Sequence, residues 1–464
     1  MRTGDLKTYL ERQFTLRLNK NQAEELSRLF FEIKKRENLD DSQIIRPMTQ
    51  NEKIRKISGK EKFLAIKKEL IKMRFPLSSQ QGQVNPREVF LSRLKDPLAD
   101  AGHPSSIFRP EKIFVEKKAK NSYLSKRFQE YFPNVPAEEI DHCWEYPKKN
   151  VFRLEELKKP YVFIVRENWD FIRPCPCTKD HLGCNYWIFN LGFGCPFDCS
   201  YCFLQQYTNF PGIVLPANLD DFFFNFDNFY DRIKNKPIRI GTGEFCDSLA
   251  LDHITGYSKQ LVDFFRDKNV FFELKTKSDN ISLLLETAAA ENIVISWSLA
   301  PQEKIDQEEI NVAGLKKRLN AAKKIQDKGY SLAFHFDPVI HSNDWEKEYR
   351  NLIEEIYREL KPPFRWISIG TLRGTRKLKN TAEQRFPQSS IFYGELLLGK
   401  DKKLRYPEFL RKDIYEKLCA LIREKDEKTP VYLCMEDADC WQVMDRPMRS
   451  SREIEDYLCG KKQN

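Results

Sequence analysis

The sequence contains no long hydrophobic run, and this absence limits its class first. No stretch of about 18 consecutive apolar residues, the least that a membrane-spanning helix needs, occurs in the 464 residues. Met1–Leu10 also lacks the apolar centre of a secretory signal. We therefore expect a protein without membrane contact, located in the cytoplasm, and long enough for about two or three structural units.

A disulfide framework is not expected either, although the chain has 12 cysteines. Disulfides are rare in the reducing cytosol, so clustered cysteines there indicate metal binding or redox chemistry. Cys195, Cys199 and Cys202 lie on one short stretch with C-x3-C-x2-C spacing. Soft thiolates at this spacing can hold three corners of a 4Fe-4S cluster and leave the fourth iron open.

An open iron would give this stretch a defined chemistry. It can bind the amino and carboxylate groups of S-adenosylmethionine (SAM), whose reductive cleavage gives a 5′-deoxyadenosyl radical. Zinc is the main alternative, but zinc sites usually combine two cysteine pairs, or a cysteine and a histidine pair, into four ligands. The spacing therefore favours iron–sulfur chemistry over zinc and over inert buried thiols.

The positive charge is concentrated near the N-terminus. The net charge is +10, and residues 1–100 hold 22 Lys and Arg against 14 Asp and Glu, a difference of +8. Arg46–Arg74 is the densest part, with ten basic and three acidic residues. Such a stretch can neutralise nucleic-acid phosphates, but a solvated helical face explains it equally well.

The hydrophobic pattern changes along the chain. Apolar residues recur at helical spacing over Leu6–Glu37 and Phe63–Met73, and short β-like runs alternate with helical runs from Tyr186 to Thr371. Alternation of this kind predicts a partial (β/α)6 barrel of parallel strands, an α/β fold with a helical N-terminal extension. We predict four segments: a basic helical extension and linker over 1–110, a lead-in segment over 111–185, the partial barrel over 186–375, and an α/β extension over 376–464.

The six predicted strands end in polar residues. They cover Tyr186–Gly192, Pro237–Gly241, Val270–Thr276, Ile293–Leu299, Leu332–Val339 and Trp366–Thr371. Since barrel chemistry lies at the carboxyl ends of the strands, the polar residues there are candidates for a site, although each also fits an ordinary turn. They are Gly243 and Glu244 after the second strand, Lys275 and Lys277 at the third, Ser296 and Ser298 on the fourth, and His335 and Asp337 on the fifth.

In several motifs taken together, the sequence resembles the radical SAM enzymes and, within them, the spore photoproduct lyase group. The likeness covers roughly residues 110–445 and leaves the N-terminal extension unmatched. Its motifs are the three-cysteine stretch followed by Leu204-Gln205, Gly241–Glu244, Asp252–Thr255, Thr276-Lys277, Gly329-Tyr330 and Trp345–Tyr349.

The resemblance implies a radical SAM fold, a 4Fe-4S cluster and SAM as cofactors, and a nucleic-acid substrate, with DNA favoured. Enzymes of the group remove a hydrogen atom from a crosslinked thymine pair in DNA, the crosslink breaks, and a cysteine returns a hydrogen atom. An electron donor such as flavodoxin or ferredoxin is implied as a partner, while the oligomeric state is left open.

The resemblance also implies roles for single residues. Glu244, with Gly243, would meet the SAM amino group, Lys277 its carboxylate side, and Ser296 and Ser298 the ribose region. Cys246 would donate the hydrogen atom, and Tyr201 would be the second catalytic residue, which quenches the cysteine thiyl radical unless an external reductant does so. The sequence departs from the group at Phe203, which stands where the lyases have a second tyrosine.

Two other functions remain open at this stage. A radical SAM enzyme could modify RNA, a peptide or a small molecule, and a nucleic-acid-binding protein could carry a structural or redox-sensing cluster. Binding and reductive cleavage of SAM separates the last class from the enzymes.

Eight further cysteines lie outside the predicted active site. Cys175, Cys177 and Cys184 have His181 among them, and a second cluster or a zinc site with a distant ligand such as Cys143 is one hypothesis. Buried thiols are the simpler interpretation for the remaining ones, which are Cys419, Cys434, Cys440 and Cys459.

Overall fold

The chain forms two compact units, and each unit consists of two separate segments of the sequence. Met1–Ala99 and Arg373–Leu410 form the first, and Asp100–Leu372 and Arg411–Asn464 form the second. The computed structural model describes residues 3–208, 211–234 and 236–460. The four predicted segments follow chain order, whereas the units do not: the predicted C-terminal extension over 376–464 is divided between them.

The first unit is mainly helical, as the N-terminal periodicity predicts. Asn19 begins its long second helix with a reciprocal capping box to Gln22, and Leu26, Phe30 and Ile33 of that helix are buried. The helices are Thr3–Phe14, Lys20–Glu37, Asp41–Thr49, Glu52–Lys56, Gly59–Arg74, Pro76–Gln80 and Arg376–Arg385, and the short antiparallel strands are Arg373–Gly374, Leu397–Leu398 and Leu404–Arg405.

A buried ion cluster joins the two chain segments of the first unit. The Glu32 carboxylate accepts from Arg28 at 2.7 Å, from Arg74 at 2.5 Å and from Lys379 at 2.6 Å. Burial opposes the charge on Glu32, but the three cations outweigh it and lower its pKa. Removing one partner of a buried pair leaves an uncompensated charge, so residues 373–410 depend on the N-terminal helices.

A curled sheet of eight strands forms the centre of the second unit. In chain order the strands are Ile172–Pro174 (β1), Trp187–Phe189 (β2), Arg239–Gly241 (β3), Phe271–Thr276 (β4), Ile293–Ser298 (β5), Ser331–Val339 (β6), Trp366–Thr371 (β7) and Val431–Leu433 (β8). Neighbours in the chain are neighbours in the sheet, and all pairs are parallel except β1 with β2.

The predicted partial barrel is confirmed, and its six predicted strands are β2 to β7. Their order follows from short helical crossovers, which parallel strands require. The two edge strands were not predicted: β1 and β8 have three residues each and too little alternation to be distinguished from loops.

The rest of the second unit surrounds this sheet. A smaller parallel sheet has the order Ala137–Ile140, Lys112–Glu116, Tyr161–Val165 and Ile213–Pro216. No helix of the described ranges is long and apolar enough to cross a bilayer. The helices are Tyr123–Tyr131, Tyr146–Lys149, Leu204–Tyr207, Leu219–Arg232, Asp252–Thr255, Tyr257–Phe265, Ser282–Glu286, Gln302–Glu308, Leu315–Lys328, Trp345–Glu359, Glu408–Arg423, Ala438–Trp441 and Ser451–Leu458.

Candidate active site

The three-cysteine loop, residues 194–203, follows β2 as predicted, and a glycine sets its entry. Gly194 has φ +98°, and a Cβ at this position would lie 2.7 Å from the Gly212 carbonyl oxygen. Its amide donates to the Phe245 carbonyl at 2.9 Å. Only glycine fits such a conformation and such a close approach, so the chain can turn from β2 directly into the loop.

Side chains from other elements hold the carbonyl groups of the three-cysteine loop. Lys158 Nζ donates to the carbonyl oxygens of Cys195 (3.0 Å) and Phe197, and Gln205 Nε2 donates to that of Cys199 at 3.1 Å. The loop strand Asp198–Cys199 also pairs antiparallel with Glu309–Ile310. The loop is therefore fixed on three sides, which pre-positions its sulfur atoms.

The environment of the three thiols fits a soft metal cluster. Cys199 is buried, and Cys195 and Cys202 are half-buried. Burial raises the pKa of Cys195 well above its usual range and that of Cys199 to about 12. Thiols of this kind stay protonated at neutral pH unless a metal displaces the proton, so iron binding would supply the free energy of deprotonation.

A charged network lies directly behind the loop. Lys277 Nζ contacts the Tyr201 hydroxyl and the Glu309 carboxylate, and Tyr201 also donates to Glu309. Arg318 donates to the second Glu309 oxygen at 2.6 Å. Burial opposes the charge on Lys277, but Cys199 and Glu309 outweigh it and raise its pKa. Lys277 and Tyr201 therefore belong to the support of the cluster loop.

Cys246 lies at the turn after β3, facing the entry to the loop. Its thiol donates to the Thr242 carbonyl at 3.4 Å, and a Cβ on Gly192 would lie 3.9 Å from its sulfur. Burial raises the pKa of Cys246 to about 12. A protonated thiol keeps the S–H hydrogen that a hydrogen-atom donor needs.

Asp247 fixes the position of Cys246 relative to β4. Its half-buried carboxylate accepts from the Thr276 hydroxyl at 2.7 Å, from the Lys277 amide at 2.7 Å and from the Leu249 and Ala250 amides at 3.0 and 2.8 Å. The first two hydrogen bonds join the β3 turn to the end of β4, and the other two fix the turn itself. Sequence reasoning missed this residue.

The glycine-rich turn after β3 packs closely on β4. A Cβ on Gly243 would lie 2.5 Å from the Lys275 Cβ, so a larger residue does not fit. Glu244, which follows, pairs with Lys275 Nζ at 3.7 Å. The turn therefore places a carboxylate and an ammonium group side by side at the carboxyl ends of β3 and β4.

Ser296 and Ser298 lie on the same face of the sheet as Lys275. The register pairs Ser296 with Lys275 and Ser298 with His335. Ser296 is fully buried, and its hydroxyl has no hydrogen-bond partner among the residues that the structure describes. A buried hydroxyl without a partner is costly, so this position is consistent with a ligand that completes the bond.

Charged residues on the same face continue below these positions. Glu273 on β4 accepts from His335 Nε2 at 2.7 Å, and the Arg239 guanidinium on β3 donates to the Tyr432 hydroxyl at 3.0 Å and stacks on Trp366. Charged residues inside a curled sheet are expensive to bury. The sequence signal was present, because Glu273 and Lys275 occupy alternate positions of the buried strand β4 and Lys277 follows its end in the same alternation.

Cys143, the example given above of a distant fourth ligand for the second cysteine group, packs against Phe114 and Phe163 of the smaller sheet. The chain after β8, which carries Cys434, reaches the second cysteine group, because the Leu182 amide donates to the Glu436 carbonyl at 2.8 Å. The prediction of buried thiols holds for Cys419, Cys440 and Cys459, while Cys434 is half-buried.

Comparison with known proteins identifies related sequences. The family model described as spore photoproduct lyase matches residues 108–417. The spore photoproduct lyase of Geobacillus sp. is 26% identical over 299 residues, which cover 61% of this chain and 84% of that protein. That of Clostridium acetobutylicum is 24% identical over 325 residues, 65% of this chain and 94% of that protein.

Solved structures resemble the chain in fold. A spore photoproduct lyase complexed with dinucleoside spore photoproduct has a TM-score of 0.62 at 20% identity and covers 70% of this chain and 99% of its own. A mutant spore photoproduct lyase with bound AdoMet and dinucleoside spore photoproduct has a TM-score of 0.61 at 21% identity, with the same coverage.

Proposed function

Because the chain belongs to the spore photoproduct lyase family, we propose that it repairs the spore photoproduct of DNA by hydrogen-atom abstraction. As a family member it is a radical SAM lyase with a 4Fe-4S cluster, SAM and a nucleic-acid substrate. The observation that carries the proposal is the rigid three-cysteine loop at the carboxyl end of β2, with Cys246 facing its entry.

Cys195, Cys199 and Cys202 are the proposed ligands of the cluster. Three sulfur donors on one anchored loop match a cubane with one open iron. When bound, the cluster and SAM supply a 5′-deoxyadenosyl radical. The carbonyl contacts from Lys158 and Gln205 keep the loop in place, and the Glu309 network supports it from behind.

The proposed SAM contacts are Glu244, Gly243, Ser296, Ser298 and a lysine. Glu244 would bind the amino group, Gly243 lets the backbone approach closely, and the unpartnered Ser296 hydroxyl would bond the ribose region with Ser298 beside it. We assign the carboxylate to Lys275 instead of Lys277, because Lys277 Nζ is held by Glu309 and Tyr201.

Cys246 is the proposed hydrogen-atom donor. Its protonated thiol can give a hydrogen atom to a carbon radical on the substrate and become a thiyl radical. Tyr201 contacts Glu309 and Lys277. We therefore propose that it supports the three-cysteine loop and also lies near the reacting groups. The Tyr257 hydroxyl donates to the Pro216 carbonyl at 2.6 Å. The neighbouring Leu215 borders Gly192, as the Cys246 sulfur does, so a second tyrosine lies in the neighbourhood of the thiol.

Phe203 favours a second candidate, a lyase of the same chemistry acting on a different nucleic-acid lesion. Its ring packs edge-on against Phe245 at 6.2 Å and Tyr207 at 5.9 Å. Phenylalanine has no hydroxyl hydrogen to relay, so quenching of the Cys246 thiyl radical would depend on Tyr257, Tyr201 or an external thiol.

The first unit is proposed to contribute nucleic-acid binding. Lys53, Arg55, Lys56 and Lys60, the basic quartet, are all exposed, whereas Arg74 of the same basic stretch is buried against Glu32. Exposed cations can release phosphate counterions. We also propose a flavodoxin- or ferredoxin-type electron donor and a cytoplasmic location, where DNA and such donors occur.

Turnover of a defined lesion tests the function. The anaerobically reconstituted protein is incubated with SAM, a reductant and dinucleoside spore photoproduct, and the products are separated by liquid chromatography and mass spectrometry. We expect restored thymidine residues and 5′-deoxyadenosine, and deuterium placed on the abstracted position should appear in the latter. SAM cleavage that leaves the photoproduct intact would refute the substrate and favour another lesion.

A further inference from the structure

A second group of thiols lies on the segment Cys175–Asn185, between β1 and β2, apart from the residues assigned above. The Cys177 amide donates to the Cys175 carbonyl at 2.7 Å across Pro176. This is a three-residue turn, and the fixed φ of proline suits its centre. The turn brings two cysteine side chains together: the Cys175 and Cys177 thiols are within hydrogen-bond distance.

The same segment folds back so that the third cysteine approaches. A Cβ on Gly183 would lie only 3.2 Å from the Cys177 sulfur, and the Gly183 amide donates to the Ser451 hydroxyl at 3.0 Å. Cys184 is the next residue. The three cysteines therefore lie on one short segment that folds back on itself.

The fourth thiol comes from the opposite edge of the sheet. The Leu182 amide donates to the Glu436 carbonyl at 2.8 Å, an isolated antiparallel bridge between the cysteine segment and the chain after β8. Cys434 lies two residues before Glu436, and its amide donates to the Ile369 carbonyl at 2.9 Å, which extends the pairing of β8 with β7. The bridge thus brings residues following the two edge strands, β1 and β8, together.

We propose that this place binds a second iron–sulfur cluster, held by the four thiols of Cys175, Cys177, Cys184 and Cys434. Four thiolates are the usual ligand set of 2Fe-2S and 4Fe-4S clusters. None of these four cysteines forms a disulfide, and all four are half-buried. The cluster would join the two edges of the eight-stranded sheet, where the main chain contributes one isolated bridge.

The geometry favours iron and sulfide over a single zinc ion. Zn–S bonds of 2.3 Å in a tetrahedron bring sulfur atoms to about 3.8 Å from one another. Among the described residues, the ligand atoms that lie within 4.8 Å of one another in a group of three belong to Glu436, Asp437 and Cys440. Arg411 already pairs with both of these carboxylates. Cys175 and Cys177 are within hydrogen-bond distance, but no three of the four proposed thiols form such a close group among the described residues, as a single tetrahedral zinc ion would require.

The proposed site uses other ligands than the cluster of the proposed function, but the two sites lie near each other. Cys175 packs, together with Cys195 and Cys202, against the apolar group of Ile188, Leu204 and Phe245. The inference goes beyond the proposed function, since it concerns different ligands and is read out by metal content, without any substrate.

Iron and acid-labile sulfide content tests the proposal. The first-loop variant, Cys195→Ala/Cys199→Ala/Cys202→Ala, is reconstituted anaerobically, desalted and analysed beside the wild type by metal analysis and Mössbauer spectroscopy. We expect the variant to keep roughly two to four iron atoms per chain with matching sulfide, and the wild type to hold about four more. The buried-thiol variant Cys419→Ala/Cys459→Ala should match the wild type.

Two further variants separate ligand loss from misfolding. Cys175→Ala/Cys177→Ala in the first-loop background should remove the remaining iron. Cys434→Ser in the same background should lower the amount of iron that the protein retains, while its far-UV circular dichroism spectrum stays unchanged. A first-loop variant without iron and sulfide, wild type with no more than one cluster, or zinc as the metal at these thiols would each overturn the assignment.

Discussion

Glu309 offers the sharpest test of how the cluster loop is supported. Its carboxylate lies between the cations of Lys277 and Arg318, accepts from Tyr201, and stands on the strand that pairs with Cys199. The side chain is 2% exposed, and that of Arg318 is fully buried. Glu309→Gln therefore leaves the buried Arg318 and the half-buried Lys277 facing a neutral amide.

The size of the effect follows from this burial. Breaking a buried ion pair on one side costs about 3–5 kcal/mol, and the remaining amide oxygen of glutamine can still accept one hydrogen bond. We expect unfolding of the second unit to become easier by about 3 kcal/mol. Exposed Glu303, on the preceding helix, is the matched control, and Glu303→Gln should change stability by less than about 0.5 kcal/mol.

Urea unfolding of both variants gives the comparison, with midpoints converted at a common slope. The double variant Lys277→Met/Glu309→Gln should lose less than the sum of its single variants, because the two residues interact directly. Equal midpoints for Glu309→Gln and Glu303→Gln would refute the idea that this network carries the loop.

The pH dependence of stability gives an independent check. Burial opposes the charge of Glu309, but Lys277 and Arg318 outweigh it and lower its pKa from 4.5 to about 2. A lowered folded-state pKa means that the carboxylate stabilises the fold above its ordinary pKa and that this stability is lost as the pH falls towards 2. Between these values the stability of Glu309→Gln should fall less steeply than that of the wild type.

Three other changes address the cofactor, the hydrogen donor and the nucleic acid. Glu244→Gln should weaken SAM binding by about 1–3 kcal/mol, the scale of a lost charge-assisted hydrogen bond, measured by equilibrium dialysis; unchanged affinity would remove Glu244 from the SAM site. Cys246→Ala should still cleave SAM and begin the substrate reaction but release altered products, and a wild-type product distribution would exclude it as the donor. Glutamine at all four positions of the basic quartet should lower DNA affinity and the slope of its salt dependence, whereas the same change at Lys316, Lys317, Lys323 and Lys324, exposed on one helix of the second unit, should leave the slope nearly unchanged.

The basic quartet is tested by substitution and not by truncation, for a structural reason. Residues 373–410 share the first unit with the N-terminal helices, and Lys379 is buried against Glu32. Deleting the N-terminal segment would leave that lysine and its neighbours without partners. The sequence could not show this, because the ion cluster joins residues 347 positions apart.

The sequence predicted what local patterns encode. Alternating runs gave the six central strands, and cysteine spacing gave the loop at the end of β2. It did not predict the short edge strands, nor Asp247, whose importance lies in the four hydrogen bonds that it accepts across two strand ends. The proposed pairing of Cys175 with Cys434 was also beyond reach, since their chain segments meet through a bridge between the distant residues Leu182 and Glu436.

Lys277 shows the limit of reading residues one by one. As a lysine at a strand end it is a natural partner for the SAM carboxylate, and Lys275 two positions earlier is equally plausible from sequence. The fold separates them: Lys277 Nζ contacts Glu309 and Tyr201, whereas Lys275 lies beside Glu244. Alternation along a strand does not tell which lysine finds an anion on a neighbouring element.

We propose above that the three-cysteine loop holds a cluster with an open iron that binds SAM. The most direct measurement is the electron paramagnetic resonance spectrum of the reduced, reconstituted protein before and after SAM is added. Our structure-based assignment predicts that SAM changes the signal of the wild type and that the first-loop variant shows no such response. Identical wild-type spectra with and without SAM would contradict it.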